Sequence, residues 1–153
     1  MSGARGDVRV APLAASHHAA ARALLAGERP AELLERASTG TAECVALAAT
    51  RDGALLGVAL YGEVSGTRHT GALLWLAVRP DARRRGIARL LLDGALAKLG
   101  ETGTRLVVAE LADDDAHAGM RALLAAGGFA LEGTVPDYYR DGVALSLWSR
   151  RPE

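Results

Sequence analysis

The sequence predicts an α/β domain: a mixed, mostly antiparallel sheet with helices on both faces. Three observations lead there. Segments of strand and helix character follow one another in the order β-α-α-β-β-β-α-β-α-β-β. The 26 residues between Val78 and Arg105 contain a helix. That length suffices for a crossover joining two parallel neighbours, and such crossovers are almost always right-handed. The other strands lie close enough in sequence to pair as hairpins.

The elements follow from local patterns. Residues 8–12 read as a first strand. Ser16 is placed to cap a helix over 16–25, and Pro30 suits the first turn of a second helix over 31–37. Strands over 44–49 and 55–61 flank a turn at Arg51-Asp52-Gly53. A polar loop over 63–70 leads to a strand over 72–78. Residues 86–99 carry helical spacing, with Ile87, Leu91, Ala95 and Leu99 on one face and Arg89 paired to Asp93 on the other. Gly100 is expected to stop that helix. The Val- and Leu-rich run 105–111 fits a strand buried on both faces. Asp113, Asp114 and Asp115 are suited to capping a helix over 116–126, which Gly127 and Gly128 close. Strands over 129–135 and 143–148, joined through 136–142, complete the order.

Composition narrows function. The 153 residues predict one domain over 1–153, large enough to fold without disulfides. Eighteen basic and eighteen acidic residues give zero formal charge, and only six residues are aromatic, which argues against a nucleic-acid-binding module. Cys44, the lone cysteine, leaves no disulfide framework and no CxxC pair; it reads as a small buried hydrophobe. His17 and His18 lack further ligands nearby, so no metal is expected. No apolar run approaches the ~18 residues of a membrane span and the N-terminus lacks a signal-peptide core, so a cytoplasmic protein without membrane partners is expected. There is no Asn or Gln, and arginine outnumbers lysine 17 to 1.

The informative stretch runs from Leu73 to Ala88. It passes from a buried strand through Arg83-Arg84-Arg85 to Gly86-Ile87-Ala88 at a helix start. The first N–H groups of a helix lack partners within it, and the helix dipole adds positive potential there. Gly86 and Ala88 let an anion approach the backbone, and the arginines supply charge. Neither a P-loop pattern nor G-x-G-x-x-G occurs.

On these residues the chain resembles the GNAT acetyltransferase superfamily. Arg83, Gly86 and Ala88, after Val78-Arg79-Pro80, match its pattern [QR]-x-x-G-x-[GA]. Gly128-Phe129 and Tyr138-Tyr139-Arg140-Asp141-Gly142 resemble its later segments, and the element order agrees along nearly the whole chain. The resemblance implies a GNAT fold with a splayed parallel strand pair and acetyl-CoA as acyl donor. The arm of the donor would lie along Leu76, Ala77 and Val78, with the Val78 N–H near the thioester oxygen. The backbone from Arg83 through Arg84, Arg85, Gly86 and Ile87 to Ala88 would hold the pyrophosphate.

The implied reaction is N-acetylation of a primary amine, on a small molecule or a peptide, by direct attack in a ternary complex. Freeing the lone pair of a lysine-type amine at neutral pH costs roughly 4–5 kcal/mol, and that of an α-amine about 1–1.5 kcal/mol, so a base is wanted. Glu110, His117 and Glu63 are the candidates. The family's tyrosine acid is replaced here by Leu124, its frequent Asn by His117, and its Ala by Met120. An acid role falls to Tyr138, Tyr139 or water, since a thiolate of pKa about 8.5 leaves with little help. The alternative is a non-catalytic acyl-CoA-binding or regulatory domain. A homodimer is compatible with either reading.

Overall fold

A computed structural model describes residues 7–151. In chain order the elements are β1 (Arg9–Pro12), α1 (His18–Leu24), α2 (Glu28–Ala37), β2 (Val45–Arg51), β3 (Ala54–Glu63), β4 (Thr70–Val78), α3 (Ile87–Glu101), β5 (Leu106–Ala112), α4 (Ala118–Ala126), β6 (Ala130–Arg140) and β7 (Val143–Arg150). The predicted order is observed. The strands form one mixed sheet in the order β1-β2-β3-β4-β5-β7-β6, antiparallel except between β4 and β5.

Side-chain alternation along the strands builds a core on each face. Leu47, Ala49 and Ala59 point toward α3 and α4, where they meet Ile87, Leu91, Leu92, Leu99, Leu124 and Phe129. Their neighbours Ala46, Ala48, Val58 and Leu60 point the other way, onto Ala21 and Leu25 of the α1 segment and Leu33 and Leu34 of α2. Cys44 is buried in that second layer, where its thiol donates to the Leu33 carbonyl at 3.1 Å. The predicted apolar face of α3 is the buried one, and Arg89 pairs with Asp93 at 3.0 Å on its outside. Gly62 lies so close to the preceding loop that an added Cβ would stand 2.1 Å from the Glu43 carbonyl oxygen.

Four local expectations are corrected. Ser16 makes no capping bond; it lies inside a short 3₁₀ turn, Ala15–His17, that precedes α1. Helix α3 passes through Gly100 to Glu101, and the left-handed turn that follows it falls at Gly103 (φ 81°). Leu99, buried beside it, holds this last turn against the core. Strand β5 is not buried on both faces throughout: Val107 and Ala109 are enclosed, whereas Glu110 on the other face is exposed. Strand β6 runs on through residues 136–140, so that the joining turn shrinks to Asp141-Gly142.

Leu91 is fully enclosed between α3 and the sheet. Leu91→Ala is expected to lower unfolding stability by about 2–5 kcal/mol, measured by urea titration. Leu90→Ala, on the exposed side of the same helix, is expected to change it far less.

Candidate active site

Strands β4 and β5 pair over only four residues, from Thr70 opposite Leu106 to Leu73 opposite Ala109. Beyond that point they diverge. The tip of β4 stays bonded to β3, with Trp75 opposite Leu60 and Val78 opposite Gly57. The tip of β5 stays bonded to β7, with Glu110 opposite Leu147 and Ala112 opposite Leu145. The space between the tips is a cleft of about 320 Å³. Its walls are apolar, formed by Leu73, Leu74, Trp75, Leu76, Leu111, Met120 and Leu124 among others, and its polar groups are Glu110, Asp114, His117, Tyr139 and Arg140.

The inner edge of β4 is backbone without a strand partner. The Arg79 N–H donates to the Leu56 carbonyl at 2.8 Å, so Arg79 faces β3. By antiparallel alternation Val78 and Leu76 direct both N–H and C=O to the opposite edge, into the fork. The Arg83 side chain confirms that direction by donating from Nε to the Val78 carbonyl at 3.3 Å.

The loop after β4 turns sharply into α3. Arg79 clasps Asp81 through two contacts, Nε to Oδ1 at 3.0 Å and Nη2 to Oδ2 at 2.5 Å, and this pairing holds the Asp81 carboxyl below its ordinary pKa. Arg84 and Gly86 both adopt left-handed backbone, at φ 63° and 77°. No carbonyl of the described residues accepts from the N–H groups of Arg84, Arg85 or Gly86. The first turn of α3 leaves those of Ile87 and Ala88 equally free. These free amides stand at a helix N-terminus beside the exposed Arg84 and Arg85, the chemistry that attracts an anion.

Of the predicted catalytic candidates, the fold brings Glu110, His117 and Tyr139 to one cleft. Tyr138 neighbours Tyr139 edge-to-face at 5.0 Å but lies outside the lining, and Glu63 ends β3 beyond the cleft. Burial pushes the Tyr139 hydroxyl pKa up, and the charge of Glu110 adds to the effect, so Tyr139 remains a donor at neutral pH. Leu124 is buried at the cleft floor, so this position offers no proton.

The sequence places Asp114 as a helix cap. It does cap, accepting the His117 N–H at 3.1 Å, but its Oδ1 also lies 2.5 Å from His117 Nδ1. That contact, first among its causes, lowers the Asp114 pKa. The signal in the sequence is an acid three residues before a histidine at a helix start. Arg140 also lines the cleft, and its Nη2 lies 3.9 Å from Asp114 Oδ2.

A fork between β4 and β5 opens onto an apolar slot that carries titratable groups, and unbonded amides stand at the start of α3. Residues 14–129 match the acetyltransferase (GNAT) family, and the chain belongs to that family of acetyltransferases. No curated protein sequence matches it. Solved structures agree on the fold. A GNAT-family protein from Desulfovibrio desulfuricans superposes with TM-score 0.87 at 23% identity, over 96% of this chain and 100% of its own. The ribosomal-protein-S18-alanine N-acetyltransferase of Escherichia coli gives 0.79 at 19%, over 96% and 95%. The Salmonella typhimurium protein yncA, solved with its cofactor acetyl-CoA, gives 0.76 at 18%, over 95% and 94%.

The lowered pKa of Asp81 sets a pH dependence. Its folded carboxyl binds a proton less readily than the unfolded one, so its contribution is full above the ordinary carboxylate pKa and is lost as pH falls through the lower folded value. The loss of urea stability between about pH 6 and pH 3 is therefore expected to be smaller for Asp81→Asn than for the unaltered protein.

Proposed function

We propose that the protein transfers an acetyl group from acetyl-CoA to a primary amine, by direct attack within a ternary complex. The observation that carries this reading is the unpaired inner edge of β4 running from the cleft to the free amides at the start of α3. The residues fit the donor. The amides of Arg84 to Ala88, with the Arg84 and Arg85 side chains, suit its pyrophosphate. The Val78 edge suits the amide groups of its arm. Leu76 lines the cleft and Val78 does not, so the Leu76 N–H is the better donor to the carbonyl that reacts. The thioester supplies an activated acyl group.

The residues of the chain do the rest. Glu110 offers its charge to a cationic amine entering the cleft. His117 takes the proton that the amine must lose, through Nε2, which holds no partner among the described residues. Tyr139 borders the same space and holds its proton at neutral pH. No side chain replaces the acid missing at Leu124; a departing thiolate needs little help. The neighbour from Escherichia coli, by its name, acts on a protein alanine. An α-amine of that kind is the less demanding acceptor, since removing its proton costs only about 1–1.5 kcal/mol.

Two variants test the reading. Gly86→Glu puts a side chain and a negative charge where left-handed backbone meets the anion site. It is expected to weaken acetyl-CoA binding about a hundredfold, near 2.7 kcal/mol, by titration calorimetry, with circular dichroism unchanged. His117→Gln is expected to lower kcat about a hundredfold or more with acetyl-CoA affinity retained, followed as thiol release across a panel of amines. Thiol release by neither the unaltered protein nor the variant, with acetyl-CoA tightly bound, would favour the binding-domain alternative.

A further inference from the structure

We infer that Asp114 is a positioning residue for His117: its carboxylate holds the imidazole with Nδ1 protonated and Nε2 open to the cleft. This rests on the reading of His117 as the base. An ionised carboxylate only accepts hydrogen bonds, so the 2.5 Å contact between Oδ1 and Nδ1 places the ring hydrogen on Nδ1. In the neutral ring, nitrogen Nε2 then carries the lone pair, as a base requires. The same oxygen accepts the backbone N–H of His117 at 3.1 Å, which fixes ring and main chain to one anchor.

The anchor is itself held. Arg121 donates from Nη1 to the backbone carbonyl of Asp114 at 2.7 Å and to that of Ala112 at 3.3 Å. The guanidinium of Arg140 lies 3.9 Å from the second carboxylate oxygen. Around the imidazole, β5 contributes Glu110, β6 contributes Tyr139 and Arg140, and the turn itself carries Asp113 and Asp115. None of these approaches Nδ1 as Asp114 does. A cap alone does not need a carboxylate, because serine caps helices about as well as aspartate. That equivalence separates the two roles.

The test uses the ¹⁵N-labelled full-length chain and long-range imidazole spectra at about pH 8, above the ordinary histidine range. The His117 signals are assigned by their loss in His117→Gln. Asp114→Ser keeps a capping oxygen and removes the carboxylate; Asp114→Asn is the second variant should the first unfold. The unaltered protein is expected to show His117 as the Nδ1–H tautomer. The Asp114 variant is expected to lose that preference and to lower kcat about tenfold or more, with the KM for acetyl-CoA unchanged. An Asp114 variant that keeps either the original tautomer or the original turnover, while His117→Gln is impaired, overturns the positioning role alone. His117→Gln at full turnover overturns the base assignment and this inference with it. Absence of turnover in every protein leaves the tautomer to decide: an unaltered chain without the Nδ1–H preference overturns the inference.

Discussion

The active-site region depends on a hydrogen-bond ladder that ends early. After Leu73 and Ala109, β4 and β5 stop pairing, yet neither tip is loose, because β3 holds one and β7 holds the other. Unpaired backbone within a sheet needs another partner, and an extended ligand carrying amides can supply one. Because both prongs are anchored from outside, binding there does not have to order the strands first. This kind of preorganisation lowers the entropy lost on association.

Charge follows the same economy of place. The chain is neutral as a whole, but the start of α3 gathers main-chain amides beside the exposed Arg84 and Arg85. Arg84 stands in left-handed backbone, which for a residue with a side chain costs roughly 1–2 kcal/mol. The surroundings hold it there: the Arg79–Asp81 clasp on one side, the Arg83 contact with Val78, and the start of α3 on the other. A strained loop fixed by its neighbours keeps its donors in place.

Much of this was readable in the residues. The order of elements, the buried face of α3 and the loop around Gly86 all follow from periodicity and from what glycine and helix ends permit. Cys44 and the Arg89–Asp93 pair stand where their spacing put them. The failures have physical causes. Gly100 reads as a stop, but a glycine in a helix costs only about 1 kcal/mol, and the packing of Leu99 carries the helix past it. Residues 136–140 looked like a loop because Pro136 and Asp137 are poor strand formers, yet they lie on an edge strand, where a missing donor is tolerated. The exclusion of Glu63 and Tyr138 was not legible, since it depends on which strands the sheet brings side by side; the contact of Asp114 with the imidazole is local, spanning three residues of one turn.

The inner edge of β4 has an implication for how such a site ages in evolution. Its N–H and C=O groups belong to the peptide bond, so every residue except proline brings the same pair of contacts to Leu76 and Val78. Mutations there reshape a wall and leave the recognition groups standing. Chains of this fold that share as little as a fifth of their residues can thus present the same row of backbone donors and acceptors at this edge.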